Sequence, residues 1–287
     1  MKTKLSSIIV MLSFMFFASC QKDTAPLEES SINTADDDAV VNVLFDDVFN
    51  TVDYASVLLD DALGKGETKS EAFVLADSCP VVTVDNLVPN VWPKTITIDY
   101  GAGCTGFYGS TRSGKIIITI TQRRNVTGAK RTVTFDNYYF NGIKVEGTKE
   151  FTNLGPNQNQ NVVIEVKLTG GKLTLPDGKT IERSVNHQRE WIAGWLTRNI
   201  WDDECLVTGT ATGKTIDGKS YTNTITTALH WKRVCEFFVS GVIKIEREGV
   251  EPFELDYGDG ECDAYATVRR GEHSKQITLR HRHRLMP

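Results

Sequence analysis

The residues able to do chemistry fall into three groups. Asp256, Asp259 and Asp263 set three carboxylates around two glycines, Gly258 and Gly260, the oxygen donors that a hard cation such as Ca²⁺ takes from a loop. His281 and His283 stand two apart in Arg280-His281-Arg282-His283-Arg284, so on a strand both imidazoles project from one face, as a transition-metal pair requires. Trp191, Trp195, Trp201 and Trp231 gather in the middle of the chain; exposed on a β surface, indoles stack on sugar rings, and buried they fill core. Each group also has a plainer reading. The aspartates read as turn formers, the histidines as part of a solvated basic terminal strand whose arginines oppose a cation, and the tryptophans as packing.

Familiar catalytic signatures are missing. The chain has no Gly-x-Ser-x-Gly elbow, no His-Glu-x-x-His, no phosphate-cradling Gly-x-x-x-x-Gly-Lys-Ser/Thr and no Gly-x-Gly-x-x-Gly entering a helix. Nothing calls for a cofactor. A carboxylate pair of the glycosidase kind is defined by distance in space and leaves no sequence spacing to find. The expectation is therefore a non-catalytic protein, with a glycan-active hydrolase and a glycan binder as the alternatives.

The elements that must position these residues divide the chain in two. Residues 21 to 77 carry fourteen Asp or Glu against three Lys, and the remaining body from Ser78 onward has a balance of +4, too weakly basic to argue for nucleic acid. Residues 20–33 read as a polar tether. A helix is expected over 34–66: Thr34 with Asp37 forms a capping box, and Val41, Leu44, Phe45, Val48, Val52, Ala55 and Leu59 recur at helical spacing. Asp46, Asp47, Asp53 and Asp60 fall largely off that stripe, which predicts docking by the apolar face with the acidic side toward solvent.

From about Pro80 the pattern alternates at period two. Thr95 to Ile98, Ile116 to Ile120, Thr132 to Phe135 and Val162 to Leu168 read as strands, separated by Asn141-Gly142, Gly170-Gly171, Pro176-Asp177-Gly178 and Asp217-Gly218 turns. Short turns make antiparallel neighbours. Residues 78–287 are thus predicted to be a mainly β domain, an antiparallel meander of roughly a dozen strands forming a large curled sheet, a sandwich or a barrel-like closure, preceded by one amphipathic helix. A bilayer-crossing barrel is not expected, since the chain ends in Arg284-Leu285-Met286-Pro287 without a terminal aromatic.

A repeat frames this domain, over 79–120 and 235–280. Cys79 is followed by Ile98-Asp99-Tyr100-Gly101-Ala102-Gly103-Cys104, and Cys235 by Leu255-Asp256-Tyr257-Gly258-Asp259-Gly260-Glu261-Cys262. Both copies then run into Gly114 or Gly271 and a further strand. Ala102 and Thr105 stand where Asp259 and Asp263 do, which favours a turn over a calcium site. Equivalent positions pair Cys79 with Cys104 and Cys235 with Cys262, each closing a loop worth about 3 kcal/mol in the chain-entropy model. Cys205 is left over as a buried thiol.

Cys20 is set apart by what precedes it: a basic start, an apolar run from Leu5 to Phe17, then Ala18-Ser19. That run is a cleavable export signal, residues 1–19, too short for an ordinary membrane-spanning helix. The small residues before Cys20 resemble the bacterial lipobox, in which the Cys is acylated and becomes the mature N-terminus. With the acidic helix and the two Asp-Tyr-Gly-x-Gly units, the chain resembles β-rich lipoproteins of the Bacteroidota. Gln21-Lys22-Asp23 is similar to that phylum's Lys-plus-acidic surface-export signal, with Thr24 in place of a second acidic residue, and Asp23-Thr24-Ala25 to its O-glycosylation motif. The resemblance implies an envelope lipoprotein, a scaffold or binding module held at the outer membrane by acylated Cys20. A glycan or an envelope protein are the partner classes left open.

Overall fold

A computed structural model describes residues 26–66, 68–76, 79–105, 110–197 and 199–279. Cys20, His281 and His283 lie outside these residues, as does the export signal.

One long helix, α1 (Glu29–Gly64, 36 residues), precedes fifteen strands. They are β1 (Phe73–Ala76), β2 (Val81–Val84), β3 (Lys94–Asp99), β4 (Cys104–Thr105), β5 (Thr111–Ile120), β6 (Lys130–Phe140), β7 (Ile143–Pro156) and β8 (Val162–Thr174). The chain continues with β9 (Thr180–Ala193), β10 (Glu204–Lys214), β11 (Ser220–Lys232), β12 (Ser240–Arg247), β13 (Val250–Asp259), β14 (Tyr265–Arg270) and β15 (His273–Thr278). Each strand pairs antiparallel with the next in a single sheet that is not closed; β4 alone lies off the path, against β5. The expected mainly β meander behind one helix is what forms, and of the three shapes left open it is the curled sheet.

The helix begins five residues before the expected start. Thr34 is not a cap: its hydroxyl donates to Ser30 O, 2.7 Å, within the helix. Glu28 is the terminal residue, and Ser31, fully buried, receives Arg270 Nη2 at 2.8 Å. Contact with the sheet, more than local capping chemistry, carries the first turns. The first strand likewise starts at Phe73, ahead of residue 78.

The sheet wraps the helix. Side chains from β5 (Arg112), β6 (Arg131), β7 (Lys149), β9 (Arg183, Arg189), β12 (Arg247) and β14 (Arg270) all reach α1. Buried positions run around the whole helix, the apolar stripe and Asp38, Asp47 and Asp53 alike. The expectation that the acidic side faces water is therefore overturned: Asp47 is held by Arg112 at 2.6 Å, Asp38 by Arg183 at 2.8 Å, and Asp46 by Arg189. Such tight curvature needs bulges. At Gly147 (φ +122°) the register between β7 and β8 slips, and a Cβ there would come within 2.8 Å of Gly171 Cα. Gly209 (φ +120°) lets β10 close onto His187 of β9 in the same way.

The helix gives the sheet two distinct ends. Near its N-terminus lie the β8–β9, β10–β11, β12–β13 and β14–β15 hairpins, with Arg183, Arg247 and Arg270 reaching Asp38, Thr34 and Ser31. At its C-terminal end lie the β5–β6, β9–β10 and β11–β12 loops, with Arg124, Arg131 and Arg233 around Asp53. We call this second end the far rim.

Both expected disulfides are in place, Cys79–Cys104 with Cα atoms 5.8 Å apart and Cys235–Cys262 with 5.4 Å. The repeat is also visible as geometry. Asp99 Oδ1 accepts the Gly101 N–H and Asp256 Oδ1 the Gly258 N–H, both at 2.8 Å, and Tyr100 and Tyr257 are both buried. Its last part does not align: Gly114 is a bulge inside β5, whereas Gly271 turns β14 into β15.

Candidate functional site

The four tryptophans separate by burial. Trp191 and Trp231 are 2% and 3% exposed, each with its ring centroid 5.8 Å from that of Phe49 on the helix. They are core, so no shared sugar platform can include them. Trp195 is half-buried, edge-on to Trp191 at 5.2 Å and covered by the Arg124 guanidinium at 5.0 Å. Trp201 stands out at 58% exposed.

Trp201 belongs to a braced loop between β9 and β10. The Thr197 N–H donates to Gly194 O at 3.0 Å, and the Thr197 hydroxyl lies within hydrogen-bonding distance of Gly194 O, Asn199 O and Asp202 Oδ1. Asn199 Oδ1 accepts the Trp201 N–H at 3.2 Å, capping a single 3₁₀ turn over Ile200–Asp202. Asp203, buried, ties this loop to the next, accepting Arg233 Nε and Nη2 at 3.2 and 3.0 Å on its side chain and the Arg233 N–H on its carbonyl. The β11–β12 loop is joined in turn to the β13–β14 loop by Cys235–Cys262 and by Gly260 N to Val239 O, 2.8 Å.

Three neighbouring loops of the far rim are thus locked together, and they carry the most exposed apolar side chains. Leu196 is 95% exposed, Val234 61% and Trp201 58%. Val91 and Val126 lie exposed on the β2–β3 and β5–β6 loops of the same rim, whereas among the described residues the hairpin-end turns expose one large apolar side chain, Ile216. Large exposed apolar groups concentrated at one place mark contact surfaces.

The carboxylates beside this rim have partners within the protein. Asp256 pairs with Arg269 at 2.8 Å, and Asp263 Oδ1 accepts the Tyr265 N–H at 2.9 Å, the turn role that the first repeat implies. Among the described residues no group of three or more His, Cys, Asp or Glu is placed to hold a metal ion. Asp256, Asp259, Glu261 and Asp263 instead line an open recess of about 420 Å³ with Tyr265 and Arg269. A second cavity, at the hairpin end under Thr34, Asp38 and Ile216, measures about 30 Å³, room for a water or two. Asp38 there is already engaged by Arg183 and Asn223. The pair His230 Nε2 and Glu204 Oε2, 2.7 Å apart on the outward face of β10 and β11, had no signal in the sequence, since 26 residues separate them.

The interior holds the strongly perturbed groups. Burial pushes the Cys205 thiol up to about 12, with Arg189 opposing, so the leftover cysteine is a closed, unreactive side chain. Burial also pushes the Lys149 ammonium down to about 7; Asp46 opposes this and Arg189 and Arg183 add to it. Its Nζ donates to Phe45 O at 2.8 Å. Between pH 7 and the ordinary lysine value near 10.4 the unfolded chain binds a proton the folded chain does not, so stability rises with pH. Cys205 acts in the opposite sense once an unfolded thiol ionises, from about pH 8.5. The expected result is a gain of about 1 to 2 kcal/mol between pH 7 and 8.5, read by urea unfolding, and its disappearance in Lys149→Met. An equal slope in that variant would show that another group carries it.

Fold and site together define an open, helix-filled antiparallel sheet with an interlocked apolar rim. No family model, curated protein or solved structure matches the chain.

Proposed function

We propose that this chain is a non-catalytic envelope lipoprotein, a β-rich binding module tethered to the outer membrane by acylated Cys20. One observation carries the reading: the first described residues are fastened at the end of the sheet opposite the apolar rim. Pro26 O accepts Arg270 Nη1 at 3.0 Å, at the hairpin end. Only five residues lie between Cys20 and Pro26, a reach of at most about 20 Å. A lipid on Cys20 would hold the hairpin end against the bilayer and present the far rim outward, its Asp53 centre roughly 36 Å along the helix from Glu29. In this reading the lipid supplies the attachment; among the described residues no helix is long and apolar enough to cross a membrane. Acyl chains bind through buried methylene groups, and stable anchoring takes more than one chain.

Fractionation of cells expressing Cys20→Ser tests this. The wild-type chain is expected in the outer membrane and labelled by a palmitate analogue, the variant unlabelled and in the soluble periplasmic fraction. A variant that stays in the membrane would overturn the lipid anchor.

A further inference from the structure

We infer that the far rim is a protein-docking surface whose partner offers an apolar cleft bordered by Lys or Arg. The inference rests on the binding-module reading above and names its surface and the chemistry of its partner.

Three observations bear on the occupant. Leu196, Trp201 and Val234 project from loops that are cross-braced to each other and to the core, so they are held outward before any partner arrives. A side chain already fixed loses little freedom on binding, and a rigid exposed Trp is the usual energetic centre of a protein interface. Next, the exposed charges described on and beside the three loops are Asp202, Asp259, Glu261 and Asp263 against one basic group, Arg269, which is paired with Asp256 at 2.8 Å, so the acidic groups prevail. Three of these line the recess of about 420 Å³ that opens beside the apolar tips, wide enough to receive a long basic side chain. Complementary charge of this kind selects the partner and speeds encounter. Finally, the described polar side chains next to Trp201, those of Thr197, Asn199 and Asp202, are engaged in holding the loop together.

These facts set a protein apart from the other occupants. Anionic lipid headgroups are repelled by four carboxylates. A glycan needs free hydrogen-bonding groups around the indole it stacks on, and those groups are already engaged. A second copy meeting rim to rim would bring acidic recess against acidic recess.

The test places a benzophenone amino acid, in the full-length chain in cells, at Leu196, at Val234 or at Ile216 on the opposite end, and irradiates. The same protein adduct is expected from Leu196 and Val234 and not from Ile216. The crosslinked peptide, mapped by mass spectrometry, should join apolar residues to nearby Lys or Arg. Asp259→Lys with Glu261→Lys, both exposed, at the end of β13 and in the loop after it, should cut adduct yield roughly tenfold. Adducts carrying only phospholipid or glycan, adducts formed equally from Ile216, no adduct, or a yield untouched by charge reversal would each overturn the proposal. Failure of the lipid anchor shows separately, as membrane retention of Cys20→Ser; failure here shows with the wild-type chain correctly in the membrane.

Discussion

A chain lacking residues 34–63 is expected to have no cooperative unfolding transition at all. The helix is the centre of the core rather than a lid on it: Leu44, Phe45, Val48, Phe49, Val52 and Leu59 are each at most 4% exposed. Burial of side chains of this size is worth roughly 1.5 to 3 kcal/mol each, so these six alone match the 5 to 15 kcal/mol by which a folded protein is stable. Deletion would also leave Arg112, Arg183 and Arg189, all on inward positions of the sheet, without Asp47, Asp38 and Asp46. Unpaired buried guanidiniums cost more than a cavity does. Circular dichroism should show loss of the thermal transition, and a dye for apolar surface should bind the truncated chain at ambient temperature. A cooperative melt within a few degrees of the intact protein would refute the central role of α1.

The helix was legible in the sequence and its surroundings were not. The stripe from Val41 to Leu59 has the helical period, and every member is buried. Asp47 and Asp53, off that stripe, were expected in water because a sequence shows a charged residue without its partner. The partners are 65 to 180 residues away. A trace of them was present: Ile181, Arg183, Val185, His187, Arg189 and Trp191 share one phase of β9, so arginines stood on the apolar phase of a strand. Arg at such positions calls for a buried carboxylate, and the surplus of acid in residues 21 to 77 is where to look for it.

The cysteines were legible for a different reason. Two copies of one spacing choose a pairing that a single copy leaves open, and the Asp99 and Asp256 turns repeat with it. The copies were aligned too far at Gly114 and Gly271, since a glycine in a bulge and a glycine in a hairpin turn look the same in sequence. Among the tryptophans, closeness in the chain misled. Trp191 and Trp231 lie on inward phases of β9 and β11, while Trp201 sits in a loop, and only registers between strands distinguish these. Of the rim, only the Cys235–Cys262 link between two loops was legible; the buried Asp203–Arg233 pair that adds the third joins residues 30 apart and leaves no local pattern.

Replacing Asp53 with Ala is expected to cost about 3 to 5 kcal/mol, the largest effect of any single substitution on the helix. Its carboxylate, with no exposure to water, is shared by Arg233 at 2.5 Å, Arg131 at 3.4 Å and Arg124 at 3.5 Å. Arg131 and Arg233 are themselves 4% and 8% exposed, and Asp203 is the other buried carboxylate among them. Without Asp53, Arg233 keeps Asp203, Arg124 keeps Asp60 only at 3.8 Å, and the buried Arg131 loses its ion pair. For a chain of this size the loss corresponds to a fall in Tm of roughly 6 to 20 °C. Asp53→Asn keeps an acceptor oxygen without the charge and should fall between. Asp61→Ala is the control: its partner Lys65 is 69% exposed, and such surface pairs contribute about 0 to 1 kcal/mol. Exchanging the whole centre for apolar side chains, Asp53→Leu with Arg131→Met and Arg233→Met, should recover part of the loss, because the penalty lies in charge left unpaired rather than in attraction forgone. Urea unfolding of the four variants orders them. If Asp53→Ala were no worse than Asp61→Ala, the ionic centre would not be what fixes the helix inside its sheet, and apolar packing alone would have to do so.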